Sequence, residues 1–349
     1  MFVDHFVIIL ALLICPFSVA EPLPLCPEVP PTLIGRQLPD KKMQMLADTE
    51  REHPEMAKGG EWKPRTCIAQ QKVAIMIPYR NRAEHLRGLL ANLIPFLQRQ
   101  QAHFRIFVVE QALPVGKRAD KFNKAKLINA GFVEITNSGK WDCIILHDVD
   151  LVPEHDHNLY RCFKDHPTHF FRRFDENNYA PLPDNNFGEV SGFTPEQYQR
   201  VNGYSNLFWG WGDEDVDMFN RILSVGYPDE RKRELSAPEL GFYTSLELAK
   251  GVNDTTNTIG NEECRQRLLD SAVKRMPLDG LNTIKGTYKV VSVQENKLFT
   301  NIAIDLLMEE SRKRADDPCK DLPDRAKIVE KTLCTTPMCI SRRRRNAKK

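Results

Sequence analysis

Two aspartates, Asp148 and Asp150, follow the apolar run Cys143-Ile144-Ile145-Leu146, with only Val149 between them. Alternate side chains of an extended chain point the same way, so at a strand end both carboxylates are expected to face one ligand. Hard oxygen donors of this kind suit Mn²⁺ or Mg²⁺, and a diphosphate completes such a shell. An ion held there neutralises the charge that builds on a departing nucleoside diphosphate. An Asp-x-Asp triplet alone is a weak signal, since many are solvated turns. Its place after an apolar run gives it weight. Arg80 and Arg82, behind Pro78 and Tyr79, add forked donors that match phosphate or carboxylate oxygens.

A second cluster is Trp209-Gly210-Trp211-Gly212-Asp213-Glu214-Asp215. Two tryptophans among glycines are poor core and poor helix. The acids that follow open a helical pattern, where the macrodipole favours ionised carboxylates. An indole beside an ionised carboxylate grips a sugar, with the apolar face on the ring and the acceptor on a hydroxyl. A carboxylate near a hydroxyl also serves as general base. The plainer reading is a charge cluster that only stabilises the helix.

Positioning these groups requires strands that end at one edge. Val73-Ala74-Ile75-Met76-Ile77, Phe104 to Val109 and Cys143 to Leu146 read as buried strands. Between them, Leu86, Leu89, Leu90, Leu93 and Leu97 recur at helical spacing, with Asn81 and Glu84 as an expected capping box and Pro95 as an expected kink or stop. Lys124 to Ala130 reads as a short helix closed by Gly131. Strands alternating with helices predict an α/β fold with a mostly parallel sheet, whose ligands collect beyond the carboxyl ends of the strands. Pro78 to Arg82, Glu110-Gln111 and Asp148 to Asp150 fall at those ends. Further on, Phe187 to Phe193 reads as extended, Thr194 caps a short helix, Glu214 to Val225 is a helix ended by Gly226, and Leu281 to Val293 and Phe299 to Leu306 read as closing strands. No internal repeat is seen.

Composition places this sheet in a soluble body. With 41% hydrophobic and 28% charged residues, the 349-residue chain has an ordinary globular balance. The net charge of +2 hides an asymmetry: the basic surplus lies in the tail from Ser311 to Lys349, ending Arg342-Arg343-Arg344-Arg345. The body is therefore not marked as a nucleic-acid binder. At the other end, Phe6 to Cys15 is uninterrupted apolar sequence, shorter than the roughly 20 residues that span a bilayer. Ser18-Val19-Ala20 resembles a cleavage site, so both a cleaved signal and a short uncleaved anchor fit residues 1–20, and both put the body in a lumen. Residues 21–66 read as a stem and lead-in, 67–310 as the catalytic domain, and 311–349 as a basic, cysteine-containing tail. Apart from Cys15, eight cysteines remain, an even number that suits disulfides in an oxidising lumen. None has zinc-ribbon spacing and no His follows His169, which argues against a Cys/His zinc site. Asn253-Asp254-Thr255 is a glycosylation acceptor in that compartment.

Together the motifs resemble the β-1,4-galactosyltransferase family. Val73 to Arg82 is close to its nucleotide-binding strand and loop. Phe122-Asn123-Lys124-Ala125-Lys126-Leu127 is similar to its uridine-contacting segment, with Lys124 where Arg is usual. Asp148-Val149-Asp150-Leu151-Val152-Pro153 matches its metal motif, followed by Tyr160-Arg161-Cys162. Phe208 to Gly212 with Glu214-Asp215 matches its acceptor motif, and Asp279-Gly280-Leu281-Asn282 resembles a C-terminal element. The resemblance implies a Rossmann-like glycosyltransferase type A fold and inverting transfer from a UDP-hexose, galactose or N-acetylgalactosamine, to a terminal sugar hydroxyl on a glycoprotein or glycolipid, usually of N-acetylglucosamine. It implies donor contacts from Pro78, Tyr79, Arg80, Arg82, Phe122, Lys124, Asp148, Val149, Asp150 and Trp211, and acceptor contacts from Trp211, Gly212, Asp213, Glu214 and Asp215. Asp215 would be the base, Asp150 would hold Mn²⁺, and Cys26–Cys67 and Cys143–Cys162 would be the disulfides. Location as a Golgi type II membrane protein, membrane-bound only through its N-terminus, is implied as well.

Departures from the family pattern fall in the second half. The family's Met-x-x-His metal ligands are absent, the corresponding stretch being Ser245-Leu246-Glu247-Leu248. Val216 stands where a further carboxylate is usual, and Glu189 replaces a glycine. Asn186 occupies the position that tunes galactose against N-acetylgalactosamine, and its small side chain leaves room for an acetamide. An active transferase therefore competes with a catalytically impaired relative that binds sugar or nucleotide, or serves as a partner subunit.

Overall fold

The computed structural model describes residues 22–42, 44–112, 121–182, 185–210, 212–229, 235–246 and 262–307. The N-terminal apolar segment, Trp211, Glu247, Asp254, Asn253 and the tail from 311 onward lie outside the described residues. In chain order, α1 (Leu46–Glu52) and β1 (Glu61–Trp62) precede β2 (Lys72–Tyr79), α2 (Ala83–Arg99), β3 (His103–Gln111), α3 (Lys124–Ser138) and β4 (Cys143–His147). There follow β5 (Leu151–Pro153), β6 (Thr168–His169), β7 (Arg173–Phe174), β8 (Val190–Phe193), α4 (Pro195–Arg200), α5 (Glu214–Ser224), β9 (Phe242–Ser245), α6 (Glu262–Arg275), β10 (Lys289–Glu295) and β11 (Thr300–Asp305).

The main sheet runs β10-β11-β3-β2-β4-β8-β6, with β1 added beside β3. Its centre, β11, β3, β2 and β4, is parallel, while β10, β8 and β6 attach antiparallel. This is the mostly parallel α/β sandwich expected. β2 is apolar and buried from Val73 to Pro78 because both of its faces are covered. Val73, Ile75 and Ile77 pack in one core with Leu86, Leu89, Leu90 and Leu93 of α2. Ala74 and Met76 point the other way, into a second core with Leu127, Ile128 and Ala130 of α3. A smaller sheet, β5-β9-β7, lies after the Asp148–Asp150 segment.

Several local expectations give way to packing. α2 runs through Pro95 to Arg99. An interior proline costs about 3 kcal/mol, but Leu89, Leu90, Leu93 and Leu97 are fully buried and each contributes about 2 kcal/mol. The expected capping box is absent: Arg82 is the N-cap, without a side-chain cap, and Asn81 turns left-handed at φ 50°. α3 continues past Gly131 to Ser138. There the glycine is a contact and not a stop, since a Cβ on it would lie 2.9 Å from Val109 Cγ2 and 3.2 Å from Met76 Sδ. Thr194 does cap α4, through a reciprocal box with Gln197. Leu281–Thr283 is a 3-10 turn, so the strand read from Leu281 begins only at Lys289.

Two disulfides close the first half, Cys26–Cys67 and Cys143–Cys162. The stretch read as stem and lead-in packs on the domain. Ile34 N and Gly35 N donate to the buried Asp156 carboxylate at 3.0 and 2.9 Å, and β1 pairs with β3. Among the described residues no helix is long and apolar enough to cross a membrane.

Replacing Gly131 tests the close approach of α3 to the sheet. Gly131→Ala is expected to cost about 1–3 kcal/mol through overpacking, read as a fall of several degrees in Tm by calorimetry, with the far-UV spectrum unchanged.

Candidate active site

The carboxyl ends of β2, β3 and β4 deliver their polar residues to one edge, as the sheet order requires. Gln111, closing β3, donates through Nε2 to Lys121 O at 3.0 Å and accepts from Asn123 N at 2.9 Å. That pins the segment leading into α3. Asn123 caps the helix, its Oδ1 accepting from Lys126 N at 2.8 Å, while its Nδ2 donates to Asn206 O at 2.9 Å. The guanidinium of Arg80 lies 5.1 Å from the centre of the Phe122 ring, and Phe122 O accepts from Gly210 N at 2.7 Å. The segment read as nucleotide-contacting is thus tied to the Trp-Gly loop.

Lys124, the first residue of α3, projects into the cleft. Its Nζ lies 2.9 and 3.0 Å from the two Asp148 carboxylate oxygens and 3.9 Å from Asp215 Oδ2. Burial alone would lower the lysine pKa, but the charges of Asp148, Asp215 and Glu214 outweigh it and raise the pKa well above the usual value. Asp148 and Asp150 sit in the turn between β4 and β5, not on an extended strand, so the alternation argument fails. Asp148 pairs with Lys124, and Asp150 lies near enough to Asp148, Arg82 and Lys124 to feel all three charges. Burial in the cleft wall, with Asp148 adding to it, pushes Asp150 up to about 6. The turn is braced from below. His147, kept neutral because burial lowers it to about 4, donates through Nδ1 to Asp148 O at 2.8 Å and accepts from Tyr160 OH at 3.1 Å.

The opposing wall is the start of α5. Gly210, Gly212 and Asp213 all have positive φ, at 94°, 97° and 75°, which lets the chain turn sharply into the helix. Asp213 gives its carboxylate to Arg265 Nε at 2.5 Å. Glu214 and Asp215 occupy the first turn, and Glu214 Oε2 and Asp215 Oδ1 are buried without a hydrogen-bond partner. The helix dipole favours their ionised forms, yet desolvation wins. Burial raises Glu214 to about 8, helped by Asp215. Burial raises Asp215 to about 7, Lys124 pulling it down and Glu189 and Asp148 pushing it up.

A floor joins the two walls. Phe187 N donates to Asp215 O at 3.3 Å, and Asp148 N donates to Glu189 O at 2.9 Å. Between them, a Cβ on Gly188 would stand 2.1 Å from the Asp215 carboxyl carbon. Behind α5, the buried carboxylates of Asp217 and Asp279 are held by Arg221 and Arg275, with Ser205 Oγ donating to Asp279 at 2.5 Å.

The fold therefore brings Arg80, Arg82, Phe122, Lys124, Asp148, Val149, Asp150, Gly212, Asp213, Glu214 and Asp215 to one edge, with Pro78 and Tyr79 at the end of β2. Trp211 lies outside the described residues. The resemblance had singled out Asn186 and Glu189 of this floor, whereas the Asp217–Arg221–Arg275–Asp279 brace had not been read. The brace had a signal: opposite charges four apart in two helical stretches.

Residues 26–163 match the family profile described as the N-terminal region of glycosyl transferase group 7, and residues 168–247 match the N-terminal domain of galactosyltransferase. β-1,4-Galactosyltransferase 4 of Homo sapiens is 40% identical over 281 residues, 80% of this chain and 76% of its own. β-1,4-Galactosyltransferase 5 of Sus scrofa is 39% identical over 290 residues, 81% and 69% of the two chains. A β-N-acetyl-D-glucosaminide β-1,4-N-acetylglucosaminyl-transferase of Lymnaea stagnalis is 45% identical over 207 residues, 59% of this chain and 41% of its own. A Drosophila β-1,4-galactosyltransferase 7 crystallised with manganese, UDP-Gal and xylobiose superposes at a TM-score of 0.48 with 28% identity, covering 67% of this chain and 94% of that one.

Lys124→Met tests whether one ammonium balances the acids. Breaking a largely buried pair costs about 3 kcal/mol. Asp215 and Glu214, left facing the cleft without that ammonium, have folded-state pKa values raised to about 7 and about 8, so the penalty is full at pH 8–9 and shrinks as acid protonates them toward pH 5. Urea melts of variant and wild type at the two pH values check both size and sign.

Proposed function

The chain belongs to the β-1,4-galactosyltransferase family of hexosyltransferases, and from that premise we propose that it transfers galactose or an N-acetylhexosamine from its UDP-sugar, with inversion, to a terminal sugar hydroxyl, with Asp215 as general base. Glycosyl transfer to a sugar acceptor is common to the relatives' names, and the Lymnaea relative names N-acetylglucosamine as both donor sugar and acceptor. One observation carries the finer reading. Asp215 and the Asp148–Asp150 turn face one cleft, spanned by the Lys124 ammonium at 2.9 and 3.9 Å.

In that cleft the acceptor hydroxyl lies against Asp215, held by Glu214 and Gly212. Asp215 takes the hydroxyl proton as the oxygen bonds to the anomeric carbon, and the bond to the diphosphate oxygen breaks on the opposite face, inverting the centre. A carboxyl raised to about 7 is matched to this work near neutral pH. Arg80, Arg82 and Lys124 hold the diphosphate, with Phe122 against the base. Mn²⁺ would be held by Asp150. Among the described residues no group of three His, Cys, Asp or Glu forms a metal cage, but ions of this kind use one or two carboxylates and the substrate's phosphates, and burial with Asp148 beside it raises Asp150 to about 6. When bound, the ion neutralises charge on the leaving diphosphate. The disulfides suit an oxidising lumen, and we place the protein in the Golgi lumen, anchored or released at its N-terminus.

The thin protein shell for a metal favours a second reading, a partner subunit that binds nucleotide without turnover. Two variants separate them. Asp215→Asn is expected to lose at least about a thousandfold in transfer while UDP affinity stays near wild type, and the wild-type kcat/KM profile is expected to rise with pH through about 7. Retained turnover in that variant removes Asp215 from the mechanism. Asp150→Ala is expected to lose Mn²⁺-dependent UDP binding by calorimetry; UDP binding indifferent to Mn²⁺ in wild type, with no transfer to any acceptor, supports the second reading.

A further inference from the structure

The lead-in segment is tied to the body from its first described residues. Cys26 is bonded to Cys67, Cys26 N donates to Ile68 O, and Ile68 N donates to Pro24 O, both at 2.8 Å. The apolar run that starts at Phe6 ends at Cys15, only seven residues before Pro22. Seven residues of chain reach at most about 25 Å, whatever path they take. If that run enters a bilayer, no long stem can hold the body away from it. The body sits at the lipid surface.

The face at this point of attachment is apolar. Pro22, Leu23, Pro24 and Leu25 are all exposed, Leu23 at 46% and Leu25 at 65%. Leu25 is bridged in parallel with Ile68, itself 53% exposed, which sets the two side chains beside one another. Leu23 precedes Leu25 by two residues, the spacing that keeps side chains on one side of an extended chain. The backbone also suits lipid. Pro22 and Pro24 have no N–H, and Pro24 O and Cys26 N are already paired with Ile68. A segment whose backbone groups are absent or paired enters an apolar phase with few hydrogen bonds lost.

We propose that Leu23, Leu25 and Ile68 form a lipid-docking face, set against the bilayer beside the inserted Phe6–Cys15 run, so that the body lies on the membrane surface. The inference rests on the uncleaved reading of residues 1–20 and is independent of the chemistry in the cleft. A run shorter than the roughly 20 residues that span a bilayer holds weakly by itself, and stable attachment takes a second contact. The face supplies it. Glu28, on the same segment, is paired with Arg161 at 3.1 Å, and the docking side chains carry no charge, so the contact is with acyl chains and needs no anionic headgroup.

Phosphatidylcholine vesicles with brominated acyl chains test this on the full chain, apolar run included. In Leu25→Trp the introduced indole is expected to be quenched by the brominated lipid beyond any quenching of the wild-type tryptophans. Replacing Leu23, Leu25 and Ile68 together by Ser is expected to weaken binding in a flotation assay at least about tenfold. The Tm should not change, since the three side chains are exposed and the Cys26–Cys67 bond is kept. If the chain floats with vesicles while the introduced indole is not quenched and the triple variant floats equally well, the run alone attaches the protein and the docking face is refuted. A chain that does not float at all removes the anchored placement along with the face. A vesicle-free dimer in sedimentation velocity that the triple variant dissociates gives the face to a second copy and also overturns the proposal. Transfer to a soluble acceptor is expected to be equal in wild type and triple variant, so its presence or absence is judged separately from docking.

Discussion

Lys124 meets Asp148 from the β4–β5 turn and Asp215 from α5, elements brought together from distant parts of the chain. In a cleft of low dielectric a unit charge at these distances is worth several kcal/mol before desolvation is counted. Without a cation the acids there would relieve their repulsion by taking up protons. With it, Asp148 is held by charge, and the burial that raises Asp215 is partly offset. The same ammonium thus closes the fold across the cleft and tempers the proton affinity of the carboxyl opposite.

Asp215 is only as well placed as the helix that carries it. α5 is anchored at its second turn, where Asp217 and Arg221 are fully buried and joined to Arg275 and Asp279. A buried charge left alone is expensive, and a complete network fixes geometry more than it adds stability. Arg275 closes α6, so the C-terminal segments that return through β10 and β11 to the sheet also brace Asp215. The glycines at 210 and 212 put the adjustable part of the wall in the loop ahead of α5, away from the helix.

The sheet was legible because apolar runs such as Val73–Ile77 need only be buried on both sides, a demand that survives any detail of packing. The site was legible in its residue types, since carboxylates, arginines and indoles announce chemistry by composition. What could not be read was geometry set by contacts distant in sequence. Gly131 looked like a helix stop and is a point of contact with Val109. Pro95 looked like a break and is overruled by the leucines around it. Asp148 and Asp150 looked like alternate residues of an extended strand, and they stand in a turn after β4, where Asp148 pairs with Lys124. The bridge made by Phe187 and Glu189 could not be read locally, because it joins two elements that are remote along the chain.

Both disulfides of the described residues, Cys26–Cys67 and Cys143–Cys162, are complete by residue 162, and α5 begins at Glu214. A chain threaded N-terminus first into an oxidising compartment can be cross-linked beside β2 and β4 while α5 is still unsynthesised. The strands of the first wall are then sealed covalently, and the second wall condenses on them afterward through noncovalent contacts, apolar and ionic. The order of synthesis thus matches a division of labour in which one wall is a permanent template and the other is fitted to it.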